Sequence, residues 1–144
     1  MPRAALRTEE VADRLHSAAI RLLRAVRKAD AASGISGAQL SALSVLVFGG
    51  AQTLGSLAAI EQVKPPTMSQ LVGALEARGL VVRRPLDRRS IEVAVTDKGR
   101  RLMEAGRKRR LARLARSLEG LAPSKLALLD EAARIILASA DRAA

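Results

Sequence analysis

The hydrophobic pattern of this 144-residue chain changes period once, between residues 81 and 95. There Ile91, Val93 and Val95 alternate with Ser90, Glu92 and Ala94, the signature of a half-buried strand. Val81-Val82-Arg83-Arg84 is strand-like too, and Pro85-Leu86-Asp87-Arg88-Arg89 separates the two runs. The segment therefore predicts one β-hairpin with a basic tip, and no other stretch reads convincingly as strand. Elsewhere apolar residues recur at spacings of three and four, which predicts helix. The expected class is mainly α with a small β-hairpin.

The helices have legible limits. The first begins near Thr8, with Glu9 and Glu10 in a turn that favours acids. It places Val11, Leu15, Ala18, Leu22 and Val26 on one face, and Ser33-Gly34 ends the unit. Ser36 and Gln39 have the spacing of a capping box before a helix bearing Leu40, Leu43, Leu46 and Val47, which stops at Gly49-Gly50. A short helix covers residues 54–61. Pro65-Pro66 cannot continue it, yet proline suits the first turn of a new helix, which runs to Arg78 and stops at Gly79. In that helix Met68, Leu71, Val72 and Leu75 form a core face, while Thr67, Gln70 and Ala74 point elsewhere. The outer face is short of charge, as suits a helix lying close against something.

Beyond the hairpin, Thr96-Asp97 starts a long arginine-rich helix through about residue 118. Its apolar stripe of Leu102, Met103, Leu111, Leu114 and Leu118 is interrupted near Gly106. A last helix begins at Pro123. Leu126, Leu129, Ala133, Ile136 and Ala140 repeat along it as a heptad. Together with the apolar face of the first helix, that stripe exceeds what the central unit can cover, which predicts an intermolecular helical layer.

Composition narrows the chemistry. Lys and Arg number 25 against 14 Asp and Glu, a formal charge of +11, so a polyanion is the expected partner. There is no Cys, which excludes disulfides, thiol redox sensing and Cys-based zinc sites. His16 is the lone histidine, off the main apolar stripe, and a metal site needs several ligands. No cofactor is expected. With no Gly-rich phosphate loop and no paired carboxylates either, catalysis has no foothold. Residues 1–10 lack an apolar core long enough for a signal peptide, and residues 45–51, the longest strongly apolar stretch, fall far short of a membrane span. A cytoplasmic protein is expected.

Three central helices followed by a basic hairpin suggest a reading head for DNA, since the second helix of a helix-turn-helix enters the major groove. Arg83, Arg84, Arg88 and Arg89 then suit the backbone or minor groove, Asp87 being the only acid between Gly79 and Ser90. Leu57-Ala58-Ala59, the run from Val63-Lys64-Pro65-Pro66-Thr67 through Met68-Ser69-Gln70-Leu71-Val72, and Leu75-Glu76-Ala77-Arg78-Gly79-Leu80-Val81 together resemble the helix-turn-helix of MarR-type regulators. The Asp87-Arg88-Arg89 tip and the Val93-Ala94-Val95-Thr96-Asp97-Lys98-Gly99-Arg100 junction are similar to that family's wing and its exit. By helix order the likeness spans the whole length.

The resemblance implies a winged helix-turn-helix domain over residues 35–97, flanked by dimerisation helices over 1–34 and 98–144. It implies an obligate homodimer on a pseudo-palindromic operator, a transcriptional repressor released by a small-molecule effector. By position Thr67, Ser69 and Gln70 match groove-facing residues, and Lys64 and Pro66 match the approach to the phosphates. Asp87 and Arg89 match a pair in which the acid orients the arginine. Gln70 departs from the arginine usual in the family; Gln suits adenine where Arg suits guanine. Val11, Leu15, Leu22, Leu126, Leu129, Ala133, Ile136 and Ala140 would form the dimer seam. His16 and Phe48, the sole aromatic, are the candidates for an effector pocket. Two competing readings stand beside this one. One is an architectural basic protein indifferent to sequence. The other is a membrane-surface protein, although its basic helices lack the Trp or Phe such a helix wants.

Overall fold

The computed structural model describes residues 7–143. Residues 1–6, part of the stretch expected to lack a leader's apolar core, lie outside the described residues, as does residue 144. The chain divides into two compact units, Met1–Arg110 and Leu111–Ala144. The elements run α1 (Thr8–Arg27), a 3₁₀ turn (Lys28–Ser33), α2 (Gly37–Gly49), β1 (Gln52–Thr53), α3 (Leu54–Ile60) and α4 (Pro65–Ala77). They continue with β2 (Val81–Pro85), β3 (Ile91–Val95), α5 (Asp97–Leu118) and α6 (Pro123–Ala143). This is the expected mainly helical fold with a small sheet.

Local chemistry sets the boundaries. The Ser36 hydroxyl accepts from the Gln39 N–H at 3.1 Å, and the Gln39 side chain accepts from the Ser36 N–H at 2.9 Å. That reciprocal box starts α2. Thr53 caps α3 by accepting from the Ser56 N–H at 3.1 Å. At the end of α4 the Leu80 N–H bonds back to the Leu75 carbonyl (3.0 Å) and the Gly79 N–H to that of Glu76 (2.8 Å). Gly79 holds φ 70 there, a left-handed conformation that costs glycine little.

The sheet has three strands in the order β1-β3-β2, all antiparallel. The hairpin pairs Val81 with Val95 and Pro85 with Ile91 at its two ends. The third strand was not expected. In β1 only Gln52 and Thr53 pair, with Val93 and Glu92, and two residues show no alternation to read. Their pairing exists because β3 offers a free edge beside the turn between α2 and α3.

The core of the first unit is aliphatic. Leu43 and Leu46 of α2, Leu57 of α3, and Met68, Val72 and Leu75 of α4 meet Leu80, Val81 and Val93 of the hairpin, all essentially inaccessible. Leu71, assigned to the same face of α4, is half-buried at the margin. By contrast Val11, Leu15 and Leu22 of α1 are exposed in the single chain, as are Leu126, Leu129 and Ile136 of α6.

A tight junction secures the sheet to α5. Thr96 donates its N–H to the Leu80 carbonyl (3.0 Å) and its hydroxyl to the Gly79 carbonyl (2.6 Å). The same hydroxyl accepts from the Gly99 N–H at 3.1 Å, which caps α5. Gly99 is buried, and a Cβ there would overlap the Leu80 carbonyl oxygen and stand 2.7 Å from Val95 Cγ2. Gly99→Ala is therefore expected to lower unfolding stability by ~1–3 kcal/mol, the range for overpacking. Urea unfolding checks this; an unchanged midpoint would mean the junction has slack.

Candidate nucleic-acid interface

The turn between α3 and α4 is closed by backbone bonds, Gln62 N–H to Ala59 and Val63 N–H to Ala58, at 3.1 and 3.0 Å. Gln62 adopts φ 55, the only positive φ outside glycine among the described residues. Lys64 then leads into α4 without a side-chain cap. Pro65 and Pro66 bring no N–H groups, and Met68 donates to the Lys64 carbonyl at 3.1 Å. Thr67 is thus left with the first free amide of the helix.

Burial of Met68, Val72 and Leu75 decides which face of α4 looks outward. Thr67, Gln70 and Ala74 lie on that outer face and are exposed, as are Lys64 and Pro66; Ser69 is half-buried at its edge. No charged side chain interrupts this outer stretch, so a groove wall can approach it closely.

The wing tip is shaped by Asp87. One of its oxygens accepts from the backbone N–H groups of both Arg89 and Ser90, each at 2.7 Å. The Leu86 N–H bonds to the Ser90 carbonyl at 3.0 Å and closes the loop. Asp87 thus engages Arg89 through its backbone, and the Arg89 guanidinium has no ion-pair partner among the described residues. Arg84, Arg88 and Arg89 are exposed, and none has an ion-pair partner among the described residues.

Arg83 departs from its neighbours. Its side chain is only 28% exposed and turns onto α4, not outward. Nη2 donates to the Ser69 carbonyl at 2.7 Å, and Nη1 reaches the Ser69 hydroxyl at 3.5 Å. Nε lies 3.6 Å from Glu76, an ion pair too long for a hydrogen bond. A charge-assisted bond like the first contributes about 1.5–3 kcal/mol, more than the half-exposed ion pair adds. By sequence Arg83 is indistinguishable from Arg84, Arg88 and Arg89, because composition cannot tell one arginine from the next; the fold alone turns it onto α4.

Arg78 and Arg110 are also engaged internally. Arg78 donates to the carbonyls of Gly34 and Ser33 at 2.9 and 3.0 Å. Arg110 pairs with Asp30 at 2.6 Å beside a cavity of about 650 Å³. Leu23, Arg27, Ile35, Leu40, Ser44, Val45 and Met103 also line it. Neither His16 nor Phe48, the expected pocket residues, does so. His16 is exposed on α1, and Phe48 at the end of α2 is 80% exposed.

A helix-turn-helix whose second helix stands beside an arginine-tipped ribbon is a winged helix-turn-helix. Comparison with known proteins narrows this further. Residues 33–90 match the MarR family. An HTH-type transcriptional regulator of Mycobacterium tuberculosis is 38% identical over 133 residues, covering 91% of this chain and 93% of that one. One from Mycobacterium leprae is 38% identical over 129 residues, covering 88% and 90%. A crystal structure of a transcriptional regulator from Thermotoga maritima superposes with a TM-score of 0.81 at 25% identity, covering 94% and 96%. The chain belongs to the MarR family of DNA-binding transcriptional regulators, and it is not an enzyme.

The geometry of the tip predicts a pH signature. The Arg89 backbone N–H, with further help from Ser90, lowers the Asp87 carboxyl below its ordinary value. A carboxylate depressed in the folded state stabilises it fully above the unfolded value and ceases to do so as pH falls through the folded one. The amide resonances of Arg89 and Ser90 should therefore stay constant near neutrality and shift together only below the ordinary carboxylate range. A midpoint at or above about 4, the reference for free Asp, would contradict the loop geometry.

Proposed function

We propose that this regulator is a repressor acting as a homodimer on a pseudo-palindromic operator. α4 lies in the major groove, with Thr67, Ser69 and Gln70 toward base edges and Lys64 and Pro66 at the phosphates. The wing lays Arg84, Arg88 and Arg89 along the backbone and minor groove, and Asp87 shapes the loop that presents them. The single observation behind this reading is the juxtaposition of an uncharged, exposed helix face with a ribbon of unpaired arginines. Dimerisation falls to residues 1–34 and 98–144, around a DNA-binding region at 35–97. The exposed apolar stripes support that division: Val11, Leu15 and Leu22 on α1, and Leu126, Leu129, Ala133, Ile136 and Ala140 on α6. Soluble monomers rarely leave such stripes in water. A small effector in the Asp30–Arg110 cavity relieves repression, working in the cytoplasm where the chromosome lies.

Selection of bound duplexes from a random pool tests the reading directly. An inverted repeat with half-sites about one helical turn apart is expected. Recovery of unrelated sequences at equal affinity would favour the architectural reading instead. On the selected duplex, Gln70→Ala should lose ~1–3 kcal/mol of discrimination at one base position per half-site. Arg89→Ala should weaken all duplexes alike and reduce the salt slope by about 1 per half-site.

A further inference from the structure

Arg83 occupies a place that the DNA-binding reading leaves unexplained. It is the one wing arginine that does not face solvent freely, and it spans the two elements that must address neighbouring grooves. Its stem rises from β2, and its guanidinium ends on the carbonyl of Ser69 at 2.7 Å, in the N-terminal half of α4. Glu76, the only acid in α4, flanks the other side at 3.6 Å. Between those two contacts lies Gly73, where a Cβ would stand 3.4 Å from Nη2. That is an ordinary contact distance, so the guanidinium lies flat along this stretch of the helix and is held by Ser69 and Glu76.

We infer that Arg83 is a positioning residue, which fixes the angle between wing and reading helix and thereby sets base discrimination without touching DNA. Its charge is directed at Glu76 and the Ser69 carbonyl, so it is not a free counterion for phosphate. Because Nη1 approaches the Ser69 oxygen as a donor, the Ser69 hydroxyl hydrogen is left to face an acceptor on a base edge. Guanidinium geometry matters for this role. One ammonium group presents a point charge and cannot replace a planar fork serving three partners.

The inference rests on α4 being the reading helix, so its test has one arm that needs no operator. Full-length protein carrying Arg83→Lys, Arg83→Ala or Glu76→Gln is compared with the unaltered chain. Titrations use the duplex selected from the random pool and a scrambled duplex at several salt concentrations. All three variants should lower the ratio of selected to scrambled affinity, Arg83→Ala roughly tenfold, the equivalent of one lost charge-assisted bond. Affinity for scrambled duplex and the salt slope should stay unchanged. A salt slope reduced by about 1 per half-site with discrimination intact would make Arg83 a phosphate contact and overturn the inference. Full rescue by lysine would overturn it too, since charge alone would then suffice.

The second arm is nuclear relaxation of the free protein. Backbone order over residues 84–90 should fall in Arg83→Lys and Glu76→Gln while α2 keeps its rigidity. If wing order is unaltered in both, the clamp does not hold the wing, whatever the chain binds. Failure to recover any specific duplex from the unaltered protein would count against the reading helix itself, and the relaxation arm would still decide the clamp.

Discussion

The arrangement depends on burying one face of α4 against the hairpin. Met68, Val72 and Leu75 come from the helix, Val81 and Val93 from the sheet and Leu80 from the residue leading into it, and all are shielded from water. At roughly 1.5–3 kcal/mol for each fully buried aliphatic side chain, this contact outweighs any single polar bond in the unit. It also fixes rotation: once these residues face inward, Thr67 and Gln70 must face outward. With a single aromatic residue in the chain, and that one exposed, the packing relies wholly on aliphatic shape and methionine. A shifted register in β2–β3 would turn Val93 outward and Glu92 inward, so the hydrophobic pattern resists slippage.

Around that core the arginines divide into two populations with opposite roles. Arg78, Arg83 and Arg110 bind carbonyls or acids of the protein and staple segments that are far apart in the chain. Arg84, Arg88 and Arg89 remain exposed without acidic partners among the described residues. The second group keeps its charge free toward solvent, as Lys64 does, while the first group's charge is committed within the protein, so the formal charge of +11 overstates the free positive field.

Asp87 acts on the wing tip through the backbone: it accepts from two successive N–H groups and so shapes the loop from which Arg88 and Arg89 project, exposed. The apolar stripes of α1 and α6 raise a different demand. Both are exposed in the single chain, and neither carries the aromatic residues that a membrane-surface helix wants, which favours the proposed helix-on-helix covering.

The helix limits belonged to the sequence alone, because each rests on a signal a few residues long. The Ser36–Gln39 box, the Pro65-Pro66 start and the Gly79 stop all stand where local chemistry puts them. The inward face of α4 was equally legible, since periodicity on one helix needs no knowledge of its neighbour. Tertiary structure decided the rest. β1 exists only because β3 has an edge to offer. The partners of Arg83, Arg78 and Arg110 lie 14, 45 and 80 residues away along the chain, so their roles could not be read locally. The cavity, too, is bordered by segments that only folding brings together, and neither His16 nor Phe48 reaches it. Hydrogen-bond caps act over one turn of chain, whereas long flexible guanidinium arms act over whatever distance folding removes.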